Sequence, residues 1–119
     1  MVTFGSRGDV EPFATLGREL VDAGHEVRLV SHAMFAGLCD QDRLEFAPVR
    51  GRSVRELLES EEAQALQRMR HRPLKLTRGL TALLEPELQL MYEDMLAAVQ
   101  GSDAVLCFPA TVPAIDVAT

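Results

Sequence analysis

The stretch VTFGSRGDVEP, residues 2–12, decides the fold, because it joins a short strand to a helix through a turn that holds two glycines. Residues 2–4 are apolar or β-branched and stop at Gly5, and Gly8 follows three positions later. Glycine adopts backbone conformations that other residues avoid, so the chain can fold tightly here. A strand, a glycine turn and a helix in this order predict the first unit of an α/β fold.

The rest of the chain alternates between helical and strand periodicity. The first helix is expected to hold Pro12 in its first turn and to end at Gly24. Ser53 is expected to cap a later helix, and Pro86 predicts a kink or break in the last long one. Further strands are predicted at residues 26–31, 44–48 and 104–108, and further helices at residues 33–38, 54–70, 74–100 and 112–119.

This order predicts an α/β fold with a Rossmann-like, doubly wound parallel sheet of about four strands in the order 3-2-1-4, since parallel neighbours need crossover connections. The first strand is short, the last helix has no cap, and the fourth strand leaves an open edge. We therefore expect residues 1–119 to form one truncated domain, the N-terminal part of a longer protein, that self-associates through this edge.

Charge and composition exclude several classes of function. The chain has 18 acidic and 12 basic residues and a net charge of −6, which argues against binding nucleic acid by neutralising phosphates. No apolar run has the length of a membrane span, and the two cysteines, Cys39 and Cys107, show no metal-ligand spacing. We expect a cytoplasmic protein with no metal site.

Basic residues concentrate in residues 50–78, where eight of them accompany four acidic residues. Such a segment either attracts an anionic ligand or a membrane surface, or forms a solvated helix face with Glu–Arg pairs. Because charged runs are usually solvated, the pattern favours the second interpretation, and peripheral membrane contact is the alternative.

The turn at residues 5–9 lies where open α/β sheets bind ligands. A phosphate-binding P-loop would need a lysine that is absent, and a dinucleotide site would need a third glycine and an acidic residue where Ser31 and His32 stand. The interpretations that remain for Asp9 are a helix N-cap, which its residue type favours, and a catalytic carboxylate.

The segment GSRGDVEPF, followed by ATLGRELVDAGHEVRLVSHAMF, resembles the N-terminal domain of the family 28 and family 1 glycosyltransferases of GT-B fold. That group includes sterol glucosyltransferases and enzymes that glycosylate natural products. The resemblance returns at LEFAPVRG and at AAVQGSDAVLCFPA, so about half of the chain carries it.

The resemblance implies the acceptor-binding half of an inverting, metal-independent enzyme with Asp9 as general base. A UDP- or dTDP-sugar would be the co-substrate, with no cofactor, and the acceptor a sterol, a lipid or a secondary metabolite. The C-terminal donor-binding domain has no counterpart here, so we expect this chain to be inactive alone. The resemblance also implies that the turn contacts substrate through Gly5, Ser6, Arg7 and Gly8.

Two further residues end predicted strands on the ligand side of the sheet. We expect His32 and Phe108 to contact the substrate, although local bonding or capping of the next helix is favoured for His32 by its residue type. Core packing is favoured for Cys107 and for the Leu and Met positions of residues 76–96. For the Leu and Met positions the alternative, which the resemblance implies, is a helix that borders the acceptor site. The alternative function is a standalone α/β binding or regulatory module without catalysis.

Overall fold

The structure, a computed structural model, describes residues 1–39 and 42–108. It is a mixed α/β domain with a small parallel sheet, and the helix predicted at residues 112–119 lies outside the described residues. In chain order the elements are helix α1 (Arg7–Asp22), strand β1 (Arg28–His32), a 3-10 helix (Ala33–Leu38), strand β2 (Glu45–Val49), helix α2 (Val54–Glu59), helix α3 (Glu61–Arg68) and helix α4 (Pro73–Val99).

The sheet consists of β1 and β2, paired in parallel from Arg28 opposite Glu45 onward. Val2 forms single parallel bridges to Val30 and to Cys107. The strands predicted at the start of the chain and near its end are therefore present as bridges rather than as ladders. The open edge predicted for self-association would lie at Cys107, and the chain is described for only one residue beyond it, so self-association stays a prediction.

Helices cover both faces of the sheet. Successive side chains of β1 point to opposite faces, so alternate residues of this strand pack against different helices. Leu29 packs beneath α1 and Val30 packs beneath α4. The first cluster also contains Val10, Ala14, Phe35, Cys39 and Leu44, and the second also contains Val2, Val49 and Met95. The carboxyl ends of the strands, with the turn that precedes α1, thus lie at one edge between two helical layers.

Helix α1 begins at Arg7, earlier than expected, so the placement of Pro12 in the first turn is wrong and this proline lies inside the helix. The end of the helix is as predicted. Gly24 has φ +95°, and the N–H groups of Gly24 and His25 donate to carbonyls of the last turn at 2.9 and 3.0 Å. A glycine with positive φ just after the last turn is a common way for a helix to end, and the sequence predicts it here.

The predicted cap of α2 is confirmed. Ser53 Oγ accepts a hydrogen bond from Glu56 N at 3.3 Å, and Glu56 Oε2 accepts one from Ser53 N at 2.6 Å. The single helix expected over residues 54–70 is wrong, because Ser60 interrupts it and caps α3 by accepting from Ala63 N at 3.2 Å.

Helix α4 continues through Pro86, so a break there is wrong, and a kink, the other form of the prediction, stays a prediction. After the proline, the helix is fastened to the loop that follows β2 by two of its carboxylates. Asp94 Oδ2 accepts from Arg50 N at 2.6 Å, and Glu87 Oε2 accepts from Arg52 N at 2.6 Å. These contacts hold the helix where the loss of one backbone donor would otherwise weaken it.

The basic residues of the segment 50–78 divide into two groups. Arg50, Arg52 and Arg55 form ion pairs with carboxylates, which confirms the Glu–Arg interpretation for these three. Among described residues, no helix is long and apolar enough to cross a bilayer. Membrane contact stays a prediction for the exposed basic side chains that have no ion-pair partner among described residues: Arg68, Arg70, Arg72, Lys75 and Arg78.

We expect Leu44→Ala to lower the free energy of unfolding by about 2–5 kcal/mol, because it leaves a cavity beneath α1 where Leu44 is fully buried. The matched control is Leu74→Ala on α4, where the leucine is 81% exposed, and it should change stability by less than about 0.5 kcal/mol. Urea denaturation followed by circular dichroism measures both. Equal losses would contradict the placement of the core.

Candidate functional site

A groove of about 1040 Å³ runs along the carboxyl ends of the strands, between the turn that precedes α1 and one side of α4. The turn supplies Gly5, Ser6 and Asp9, β1 supplies His32, and Phe108 follows the bridge at the other edge. The wall formed by α4 is mostly apolar and includes Leu84, Leu88, Met91, Tyr92 and Met95. Apolar walls with a few polar groups are typical of small-molecule sites.

The turn holds the Asp9 carboxylate by a reciprocal arrangement at the helix start. Ser6 is the N-cap residue, and Asp9 is the third residue of α1. Asp9 Oδ2 accepts hydrogen bonds from Ser6 N at 2.7 Å and from Ser6 Oγ at 2.8 Å. Gly5 has φ +126°, and a Cβ there would lie 2.5 Å from Asp9 Oδ2, so only glycine fits beside this carboxylate.

The N-cap interpretation of Asp9 is therefore wrong in position, because Asp9 reaches back to the cap from inside the helix. Its second oxygen, Oδ1, makes no hydrogen bond with the described residues. The N–H of Ser6, followed by its hydroxyl, lowers the pKa of Asp9 below the ordinary 3.8. Asp9 is thus an ionised carboxylate at neutral pH, with one oxygen bonded and the other free of hydrogen bonds.

His32 is buried at the end of β1, with 4% of its surface exposed. It stands at the N-cap position of the 3-10 helix, but its side chain makes no capping bond, and neither ring nitrogen has a hydrogen-bond partner among the described residues. Local bonding of this side chain, the favoured interpretation from its residue type, is therefore wrong. Its ring meets Phe4 edge to face, with centroids 5.6 Å apart.

Burial lowers the pKa of His32, and the Glu56 carboxylate, the backbone of Arg52 and the Glu87 carboxylate oppose that shift only in part. The imidazole is therefore neutral at pH 7, with one nitrogen as donor and the other as acceptor.

The only charged pair that lines the groove is, among described residues, Arg52 with Glu87. Arg52 Nε donates to Glu87 Oε1 at 2.6 Å, and these bonds, including the one from Arg52 N, lower the pKa of Glu87. Because the two charges neutralise each other, this pair adds no net charge to the groove. Sequence spacing carries no signal for this pair, since 35 positions separate the partners.

The structure brings most of the expected site residues together. Five of them line the groove: Gly5, Ser6, Asp9, His32 and Phe108. Arg7 and Gly8 do not, and the Arg7 side chain is exposed and pairs with Glu11 at 3.3 Å. Cys107 packs against the cluster beneath α4, as favoured. Within residues 1–39 and 42–108, no cluster of His, Cys, Asp and Glu could hold a metal ion.

For the apolar residues of α4, core packing was favoured from the sequence, and a border of the acceptor site was the alternative. Among the α4 residues that line the groove, Met95 alone is fully buried. Leu84 and Leu88, exposed by 38% and 56%, face the groove. The apolar period did not separate these positions, because a core and an apolar wall both require apolar side chains at helical spacing.

Comparison with known proteins gives one family. Residues 1–108 match the glycosyltransferase family 28 N-terminal domain. A sterol 3-beta-glucosyltransferase of Saccharomyces cerevisiae is 30% identical over 87 residues, which are 71% of this chain and 7% of that protein. Two further sterol 3-beta-glucosyltransferases match over 51 residues, which are 43% of this chain. That of Arabidopsis thaliana is 45% identical, with 8% of its length covered. That of Pichia angusta is 43% identical, with 4% of its length covered. The chain thus spans less than a tenth of these relatives.

We expect Ser6→Ala to raise the pKa of Asp9 part of the way back to 3.8, because the hydroxyl donor is lost while the backbone N–H, the larger cause of the shift, remains. A titration of the side-chain carboxyl ¹³C signal by NMR measures it. An Asp9 pKa that does not move in the variant would contradict the hydrogen-bond assignment.

The hydrogen bonds from Ser6 to Asp9 also predict that the free energy of unfolding falls at acidic pH. The lowered pKa of Asp9 stabilises the folded chain fully above the ordinary 3.8, and this contribution disappears as the pH falls through the folded-state pKa. Asp9→Asn removes the titrating group, so its free energy of unfolding should fall less steeply on acidification than that of the wild type. Identical slopes in urea denaturation at a series of pH values would contradict the prediction.

Proposed function

This chain belongs to glycosyltransferase family 28, of which it carries the N-terminal domain, and we propose that its groove binds the acceptor in an inverting, metal-independent transfer of a sugar from a nucleotide-sugar to a hydroxyl group. The observation that carries the proposal is Asp9. Its ionised carboxylate lines an apolar groove, and one of its oxygens makes no hydrogen bond to the described part of the chain. A base within reach of an attacking hydroxyl is what such a transfer requires.

In the proposed step, the acceptor oxygen attacks the anomeric carbon of the sugar from the side opposite the nucleotide. The new C–O bond forms as the bond to the phosphate oxygen breaks, and the nucleotide leaves with that electron pair. The hydroxyl proton passes to Asp9 Oδ1, while the Ser6 bonds to Oδ2 hold the carboxylate in place. Attack from the opposite side inverts the configuration.

The lowered pKa of Asp9 has two consequences for this role. It keeps the carboxylate ionised and ready to accept a proton, and it also makes the carboxylate a weaker base. Displacement of water from the apolar groove by an acceptor opposes the second effect, because removing solvent disfavours the charged form. We propose that acceptor binding restores the basicity that the cap removes.

An apolar alcohol such as a sterol is the acceptor class that we propose. Leu84, Leu88 and Met91 give the groove a wall that would cover an apolar skeleton. The printed names of the relatives, sterol 3-beta-glucosyltransferases, point to the same class.

We propose that the nucleotide-sugar is held by a second domain and that the described chain supplies only the acceptor side. The bridges of Val2 to Val30 and to Cys107 support a Rossmann-like sheet in the order 3-2-1-4. In that arrangement the turn at residues 5–9 opens at the carboxyl edge of the sheet, where a facing donor domain would close over it.

The test of function combines the chain with a donor-binding domain of a sterol 3-beta-glucosyltransferase, a nucleotide-glucose and cholesterol. We expect turnover only in the combination, and Asp9→Asn should lower kcat by about 10²–10⁴-fold, because asparagine keeps the cap but cannot take the proton. The matched control is Asp103→Asn, an exposed aspartate outside the groove, which should keep kcat.

An unchanged kcat in Asp9→Asn would remove Asp9 from the mechanism. Binding of cholesterol without turnover in any combination would support the standalone binding module instead.

Leu84→Glu should weaken cholesterol binding by about tenfold or more, because it places a charge on the wall that would cover the apolar skeleton. Leu80→Glu is the matched control, since Leu80 lies one turn earlier, is exposed by 41% compared with 38% for Leu84, and does not line the groove. Titration followed by ¹H–¹⁵N NMR spectra measures the affinities. Equal loss in both variants would contradict the placement of the acceptor.

A further inference from the structure

We propose that His32 forms a hydrogen bond with an oxygen of the acceptor inside the groove and so makes the groove select alcohols over hydrocarbons of the same shape. This role deepens the function proposed above and rests on it. In it His32 is a specificity-determining residue, separate from the base.

The first support is an unmet hydrogen-bonding requirement. Buried polar side chains almost always have partners, and leaving one without a partner costs free energy. Three buried side-chain atoms in the described residues have none: Ser31 Oγ and both ring nitrogens of His32. Of these two residues only His32 lines the groove, so a molecule bound there would lie beside the imidazole.

The second support is that the protein groups around the ring are already engaged. Phe4 presents its ring to the imidazole. The carboxylate of Glu56 accepts from Ser53 N at 2.6 Å, and that of Glu87 accepts from Arg52. The backbone of Arg52 lies near the ring but outside hydrogen-bond geometry. Since no described side chain bonds to the ring, we take a ligand in the groove as its partner.

The chemistry of a neutral imidazole then sets the preference. It offers one N–H donor and one nitrogen acceptor, and a hydroxyl group has both a donor and an acceptor. A ketone can only accept, and a hydrocarbon can do neither. An alcohol that donates its proton toward Asp9 still has a lone pair to accept from an imidazole N–H. Sites built to bind a hydroxyl reject analogues without it strongly, because the buried partner is left unpaired.

The experiment compares cholesterol with 5-cholestene, which lacks the hydroxyl group, each delivered from cyclodextrin to the ¹⁵N-labelled 119-residue chain. We expect cholesterol to bind about tenfold or more tightly than 5-cholestene. It should also move a His32 ring ¹⁵N signal in long-range ¹H–¹⁵N spectra at pH 7.5, and 5-cholestene should not.

Three variants isolate the imidazole. His32→Leu should lower the preference by about threefold or more, to what the hydrogen bond to Asp9 alone supplies, and His32→Gln, which keeps a donor, should restore part of the loss. Ser31→Ala is the matched control, because Ser31 is an equally buried neighbour with an unpaired hydroxyl but lies outside the groove lining. It should keep the full preference. Thermal unfolding confirms that each variant is folded.

The outcomes separate this proposal from the proposed function. Equal affinity of the wild type for both lipids, with binding that Leu84→Glu weakens, overturns the role of His32 and leaves the acceptor groove intact. A full preference in His32→Leu overturns it as well, as does a ring already bonded to Arg52 whose signals cholesterol does not move. If the wild type binds neither lipid, the acceptor groove fails and the role of His32 fails with it.

Discussion

The groove depends on the attachment of α4 to the loop that follows β2. Glu87 and Asp94 each accept one backbone N–H and one guanidinium group from that loop, and hydrogen bonds to charged groups are the strong ones. Gly51, between the two arginines, has φ +97°, and a Cβ there would lie 3.1 Å from the Glu87 carbonyl. This close approach places one side of a long helix opposite the strand ends and so gives the site its second wall.

Local rules predicted much of the backbone. The glycine turn, the helix end at Gly24 and the capping box of Ser53 with Glu56 depend on residues a few positions apart, so their spacing predicts them. The same rules placed Pro12 in the first turn of α1 and allowed a break at Pro86, and neither is observed. Tertiary contacts hold these helices despite the missing donor. Val10 and Ala14 of α1 pack in the core, and Glu87 and Asp94 attach α4 to the loop after β2.

The sequence predicted the position of the site but not the geometry that completes it. The turn at residues 5–9 indicates a ligand site, but the unequal bonding of the two Asp9 oxygens is a property of three-dimensional geometry. The wall from α4 depends on pairs such as Arg52 with Glu87, whose partners are far apart in the chain. That no described residue bonds to the His32 ring likewise follows from what surrounds the ring rather than from its neighbours in sequence.

The arrangement of Gly5, Ser6 and Asp9 has a consequence for how substitutions at this turn are interpreted. Because any side chain at position 5 would collide with the carboxylate that caps the helix, a mutational scan would score this glycine as intolerant even in an assay of folding alone. Intolerance to substitution at Gly5 therefore does not show that this residue takes part in the reaction. An evolutionary or engineered route to a different proton acceptor must also rebuild the helix start, so positions 5, 6 and 9 have to change together.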